Sequence, residues 1–110
     1  WKREESEKTF ENIKKIAYTL SNKGGKVIIS TLLPRLDNHD DANRKVNSDL
    51  LEWGGTGCNC TILDLDSQFR KLNNKEQYFW DEGLHPNMLG YEKITNIVSK
   101  YLNAELNQVN

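Results

Sequence analysis

Residues 26–31 read Lys-Val-Ile-Ile-Ser-Thr, and residues 61–65 read Thr-Ile-Leu-Asp-Leu. Each is a short apolar run without the alternation of a strand that faces water on one side. Both predict buried strands, and Pro34 ends the first. Upstream, residues 5–20 place Phe10, Ile13, Ala17 and Leu20 at helical spacing, with charged residues on the other face. Asn22-Lys23-Gly24-Gly25 then stops that helix. Between the two runs, Asp40 or Asp41 is placed to cap a second helix, with Ala42, Val46, Leu50 and Trp53 on one face. Gly54-Gly55-Thr56-Gly57 breaks it. A long loop is expected over residues 66–85, with an aromatic cluster at Tyr78-Phe79-Trp80. Pro86-Asn87 opens a third helix whose apolar face is Ile94, Ile97, Val98, Tyr101 and Leu102. The polar tail from residue 103 is expected to fray.

The order is helix, strand, helix, strand, helix. Two buried strands joined through a helix form a right-handed crossover and are therefore parallel. A parallel sheet is normally covered by helices on both faces and has more than two strands. The expectation is therefore an α/β fold of three layers, α/β/α, of which only a C-terminal αβαβα portion is present. Two open sheet edges and a small core make such a portion marginal by itself.

Composition narrows the function. The chain has 110 residues, 15 Lys and Arg against 16 Asp and Glu, and a net charge of −1. That balance provides no basic footprint for nucleic acid and no patch for an anionic membrane. The longest apolar stretch, residues 27–33, is too short to span a bilayer. Cys58 and Cys60 are separated by one residue, so a bridge between them is expected to be strained, and no second pair completes a zinc motif. The expected arrangement has one thiol packed at the start of a strand and the other in the loop before it.

Ligands of open parallel sheets bind beyond the carboxyl ends of the strands. Two loops lie there, residues 32–41 and 66–86. The second contains Trp80-Asp81-Glu82-Gly83-Leu84-His85-Pro86-Asn87. An acid three or four residues before a histidine can fold back onto its Nδ1. Nε2 is then free to take a proton from a nucleophile. His85, with Glu82 or Asp81, is thus the candidate catalytic pair. Other residues read more plainly. The run Asp37-Asn38-His39-Asp40-Asp41 lacks the spacing of a calcium loop and reads as a solvated loop with capping acids. Arg35 is expected to pair with a neighbouring acid, and Asp64 and Asp66 to hold a turn. Trp53, Tyr78, Phe79 and Trp80 are expected to pack in the core, with an acyl pocket as the alternative for the last three. Asn87 and Gly90 read as a cap and a helix-packing residue.

The block WDEGLHPNMLGYEKI resembles the last motif block of the SGNH (GDSL-type) hydrolases, Asp-x-x-His followed by Pro or Leu and then Gly-Tyr. IISTLLPR, ANRKVNSDLLEW and TILDLDSQF, in that order, are similar to blocks of the platelet-activating-factor acetylhydrolase α-subunit type of esterase. The resemblance runs from about residue 8 to 102. It implies an SGNH/flavodoxin-like domain portion over residues 1–104, with a polar tail over 105–110. It also implies a serine ester hydrolase acting on a small acyl ester, with no cofactor and no metal. His85 would be the general base. Glu82 stands in the register of the family's acid, and Asp81 matches its residue type. The chain has no Gly-Asp-Ser and no Gly-x-Asn-Asp block. The resemblance places the nucleophile and the oxyanion donors upstream of Trp1, in a domain of about 200 residues. The 110 residues alone are then expected to be inactive. The competing expectation is a non-catalytic remnant or binding module of the same fold, for which an accessory domain of a retroelement-encoded protein is one setting.

Overall fold

The computed structural model describes residues 3–108. Four α-helices, two strands and one 3₁₀ turn follow in the order α1 (Arg3–Asn22), β1 (Val27–Ser30), α2 (Asp40–Trp53), β2 (Cys60–Leu63), α3 (Leu65–Arg70), the 3₁₀ turn (Lys75–Tyr78) and α4 (Met88–Gln108). β1 and β2 pair in parallel, with Val27 opposite Cys60 and Ser30 opposite Leu63. The fold is mixed α/β around a two-stranded parallel sheet.

Burial alternates along β1, and no residue of β2 is fully buried. The expectation of fully buried strands therefore fails. Ile28 is 38% exposed, and beside it the α1 residues Ile16 and Leu20 are also open. These side chains line an apolar groove with Ile13 and Val27. Its physical cause is the small sheet, which leaves β1 with a neighbour on one side only.

The buried apolar centre lies elsewhere. Leu65, Phe69 and Phe79 form a cluster against which Leu33, Leu36, Leu72, Tyr78, Ile94 and Ile97 pack. The Phe69 ring meets Tyr78 and Phe79 edge-on. On the other helices, Ala17, Val46 and Leu50 are buried, and Trp53 packs edge-on against Phe10 and Tyr18. Part of the expected loop 66–85 is helical. Asp64 caps α3 by accepting from the Ser67 amide, and the Arg70 guanidinium returns to Asp66 one turn away. At α2 the N-cap is His39, without a capping hydrogen bond from its side chain. Asp40 and Asp41 lie in the first turn instead, where carboxylates meet the positive end of the helix dipole. α4 continues to Gln108, so residues 103–108 of the tail expected to fray are helical, and the last two lie outside the described residues.

Cys58 and Cys60 form a disulfide. This overturns the expectation of two unlinked thiols. The turn after α2 brings their Cα atoms to 5.2 Å, within the span of about 4.4–6.8 Å that a bridge closes. With one residue between the cysteines, the backbone at Asn59 sets that separation, and upstream of it the Cys58 amide donates to the Gly55 carbonyl.

Candidate active site

The segment beyond β1 is fixed by two asparagines on one face of α2. Asn47 is buried. Its side chain accepts from the Leu32 amide at 2.7 Å and donates to the Leu32 carbonyl at 2.8 Å, as a neighbouring strand would. One turn earlier, Asn43 donates to the Leu33 carbonyl. Sequence reasoning did not assign these roles. The signal was present, since two amides spaced four apart on a helix share a face.

Charged groups hold the next few residues. Arg35 clasps Asp37 through Nε and Nη2, which raises the pKa of the guanidinium and holds the Asp37 carboxyl below its usual range. Burial pushes the Asp40 carboxyl up. Hydrogen bonds from the Arg35 amide, Arg70 and Arg44 outweigh that and leave it low. Thr31 is buried at the end of β1. It donates to Asp64 Oδ1 and accepts from the Asp66 amide, which ties the ends of the two strands together. His39 is exposed, and its amide donates to Asp37. Among the described residues, no group of three His, Cys, Asp or Glu side chains is arranged to hold a metal ion.

The histidine loop docks onto this segment. The Leu36 amide donates to the Gly83 carbonyl at 2.8 Å. This contact sets residues 80–87 beside the loop that follows the carboxyl end of β1. Gly83 has φ of 74°, in the left-handed region, and a Cβ there would stand 2.9 Å from that of Leu36. Glycine is required on both counts. Phe79 and Pro86 form an antiparallel bridge. It is flanked by Trp80 N–H to the His85 carbonyl at 2.9 Å and Asn87 N–H to the Tyr78 carbonyl at 3.0 Å. Pro86, which has no N–H, occupies the position of this short ladder that needs no donor. Asn87 completes the hold. Its side chain donates to the Gln77 and Phe79 carbonyls and accepts from the Gly90 amide, capping α4.

Within this frame, Glu82 Oε1 lies 3.1 Å from His85 Nδ1 and accepts from the His85 amide at 3.0 Å. A carboxylate only accepts, so in the neutral imidazole this contact favours the tautomer with the hydrogen on Nδ1 and the lone pair on Nε2. Asp81 is exposed, and the carboxylate that meets the imidazole is that of Glu82. The pair is open to solvent, with side-chain exposures of 65% for His85 and 51% for Glu82.

The remaining candidates separate clearly. Phe79 is a core residue, Tyr78 is half-buried against the same cluster, and Trp80 is 58% exposed. Three serine hydroxyls are engaged away from the histidine. Ser21 accepts from the Asn59 amide, Ser30 donates to the Thr31 carbonyl and Ser67 to the Asp64 carbonyl. Among the described residues, no helix is long and apolar enough to cross a membrane. Comparison of the chain with protein-family models, with curated proteins and with solved structures gives no match.

Proposed function

We propose that this chain supplies the general base and the orienting acid of an SGNH-type serine ester hydrolase, as part of a three-layer α/β/α domain. His85 is the base and Glu82 its acid. The observation that carries the reading is the 3.1 Å contact between Glu82 and His85 Nδ1, on a loop docked against the segment that follows the carboxyl end of a parallel strand. In this reading Nε2 takes the proton of an attacking serine hydroxyl and returns it to the leaving alcohol, while the carboxylate stabilises the imidazolium. The substrate is a small acyl ester. The serine and its oxyanion donors come from a Gly-Asp-Ser strand and a Gly-x-Asn-Asp block outside these 110 residues.

The test is an assay of the complete gene product on p-nitrophenyl acetate. Replacing His85 by Ala lowers kcat/KM by roughly 10³-fold or more. Glu82→Gln costs more than Asp81→Asn. Activity that survives the loss of His85 refutes the assignment. The absence of a Gly-Asp-Ser turn from these residues favours, as a second reading, a non-catalytic module of the same fold. A complete gene product that also lacks that block and hydrolyses no ester establishes the second reading over the first.

A further inference from the structure

The short hairpin that presents His85 also sorts its aromatic residues. Phe79 and Pro86 form an isolated bridge, and just beyond it the Trp80 amide donates to the His85 carbonyl at 2.9 Å, which sets these two residues opposite each other. Successive residues of an extended chain point to opposite faces, and directly opposite residues share one. Phe79 turns into the core and is 4% exposed. Trp80 is therefore directed outward together with His85, and its 58% exposure agrees. Trp80 and His85 are thus backbone neighbours whose side chains are both open to solvent.

We propose that Trp80 is the specificity-determining residue for the leaving alcohol of the ester, and that it selects flat or extended apolar alcohols. The inference rests on the esterase reading of His85. In that reading Nε2 delivers a proton to the leaving oxygen and comes within hydrogen-bond reach of it. The group beyond that oxygen lies on the histidine side of the reacting carbon, whereas the acyl chain points away from it. A side chain that neighbours His85 on the same face meets the alcohol first. The indole offers a large apolar face with few rotatable bonds, suited to stacking on an aromatic or extended aliphatic group.

Two ester series measured on the complete gene product test this. One keeps acetate and changes the alcohol, phenyl against 2-naphthyl. The other keeps p-nitrophenol and lengthens the acyl chain from acetate to octanoate. The preference for the naphthyl ester is expected to fall about tenfold in Trp80→Ala, mostly through KM. Trp80→Phe retains most of it, and the acyl-length profile keeps its shape in both variants. Matching urea midpoints for wild type and variants show that the fold is kept, as an exposed side chain allows. If Trp80→Ala does not fold, the Trp80→Phe and Trp80→Leu pair carries the same comparison. An unchanged alcohol preference, or a change confined to the acyl series, overturns the role of Trp80 and leaves the esterase reading standing. A wild-type protein without esterase activity, or with activity that survives His85→Ala, overturns both.

Discussion

Replacing Gly90 by alanine sets two opposed effects against each other. Gly90 lies in the first turn of α4. There alanine is favoured over glycine by about 1 kcal/mol on helix propensity alone. Sterics oppose it. A Cβ at this position would stand 2.2 Å from the Tyr78 carbonyl oxygen and 2.8 Å from Pro86 Cβ. Neither neighbour can swing aside as a flexible side-chain end does. The Tyr78 carbonyl accepts from the Asn87 amide, and the carbonyls on either side of it accept from the Asn87 side chain. Displacing that end of the 3₁₀ turn costs about 1–3 kcal/mol for overpacking and about 1 kcal/mol for the weakened hydrogen bond. The net expectation is a destabilisation of about 1–3 kcal/mol. Gly25→Ala is the control, because its nearest neighbour would be the Leu20 carbonyl at an ordinary 3.6 Å. Urea unfolding followed by far-ultraviolet circular dichroism reads both. A Gly90→Ala protein as stable as wild type, or more so, refutes the claim that α4 is docked onto the histidine loop at this point.

Three further outcomes follow from the same contacts. Asn47→Ala removes two hydrogen bonds to Leu32 and leaves its amide and carbonyl without those partners, so the urea midpoint reports a loss of about 2–3 kcal/mol; a loss below 1 kcal/mol contradicts the strand-like role. Asp40 has a lowered pKa in the fold, so its contribution is complete above the ordinary carboxylate value of about 3.9 and disappears as pH falls through the lower folded value. A pH series of thermal melts therefore declines below about pH 4, and Asp40→Asn makes that decline shallower while lowering the melting temperature at neutral pH; an unchanged acid limb counts against the cluster. The Cys58–Cys60 bridge closes a loop of only three residues, so chain entropy assigns it about 1.6 kcal/mol. Melts with and without a dithiol reductant, with mass spectrometry to count the added hydrogens, check that figure, and loss of all cooperative folding on reduction contradicts it.

The sequence was most informative where periodicity and breakers agreed. The spacing of Phe10, Ile13 and Ala17, and of Val46 and Leu50, marked helix faces that the structure buries at Ala17, Val46 and Leu50. The crossover rule requires β1 and β2 to be parallel, and they are. The buried-strand reading failed because a run such as Val-Ile-Ile-Ser reports what the strand is suited to, whereas exposure depends on how many neighbours the sheet has. α3 was missed because six residues are too few for a helical period to show, although Asp64 and Ser67 stand at capping distance. The disulfide runs against the expectation that a bridge across one residue is too strained to form, because the two Cα atoms stand 5.2 Å apart, within bridging range.

The identity of the acid beside His85 shows how local chemistry and distant backbone act together. Register and residue type pointed to different carboxylates, Glu82 and Asp81, and register put Glu82 only narrowly ahead. The backbone decides. The Gly83 amide donates to the Trp80 carbonyl at 2.8 Å, closing a turn whose left-handed corner is Gly83. Chain reversal at that corner carries Glu82 back over His85, where one carboxylate oxygen meets both the amide and Nδ1. Glu82 alone has little power to hold this geometry, because an exposed pair is worth at most about 1 kcal/mol. The orientation rests on three chain segments that converge on the loop: Leu36 beyond β1, Tyr78 and Phe79 before the turn, and Asn87 at the start of α4. A Gly83→Ala change therefore disturbs His85 more than Glu82→Gln does, although it removes no polar group. The Nδ1 resonance of His85 reports it. Loss of the hydrogen-bonded signal in Gly83→Ala is the expected result. Its survival there would mean that the carboxylate, and not the turn, sets the histidine in place.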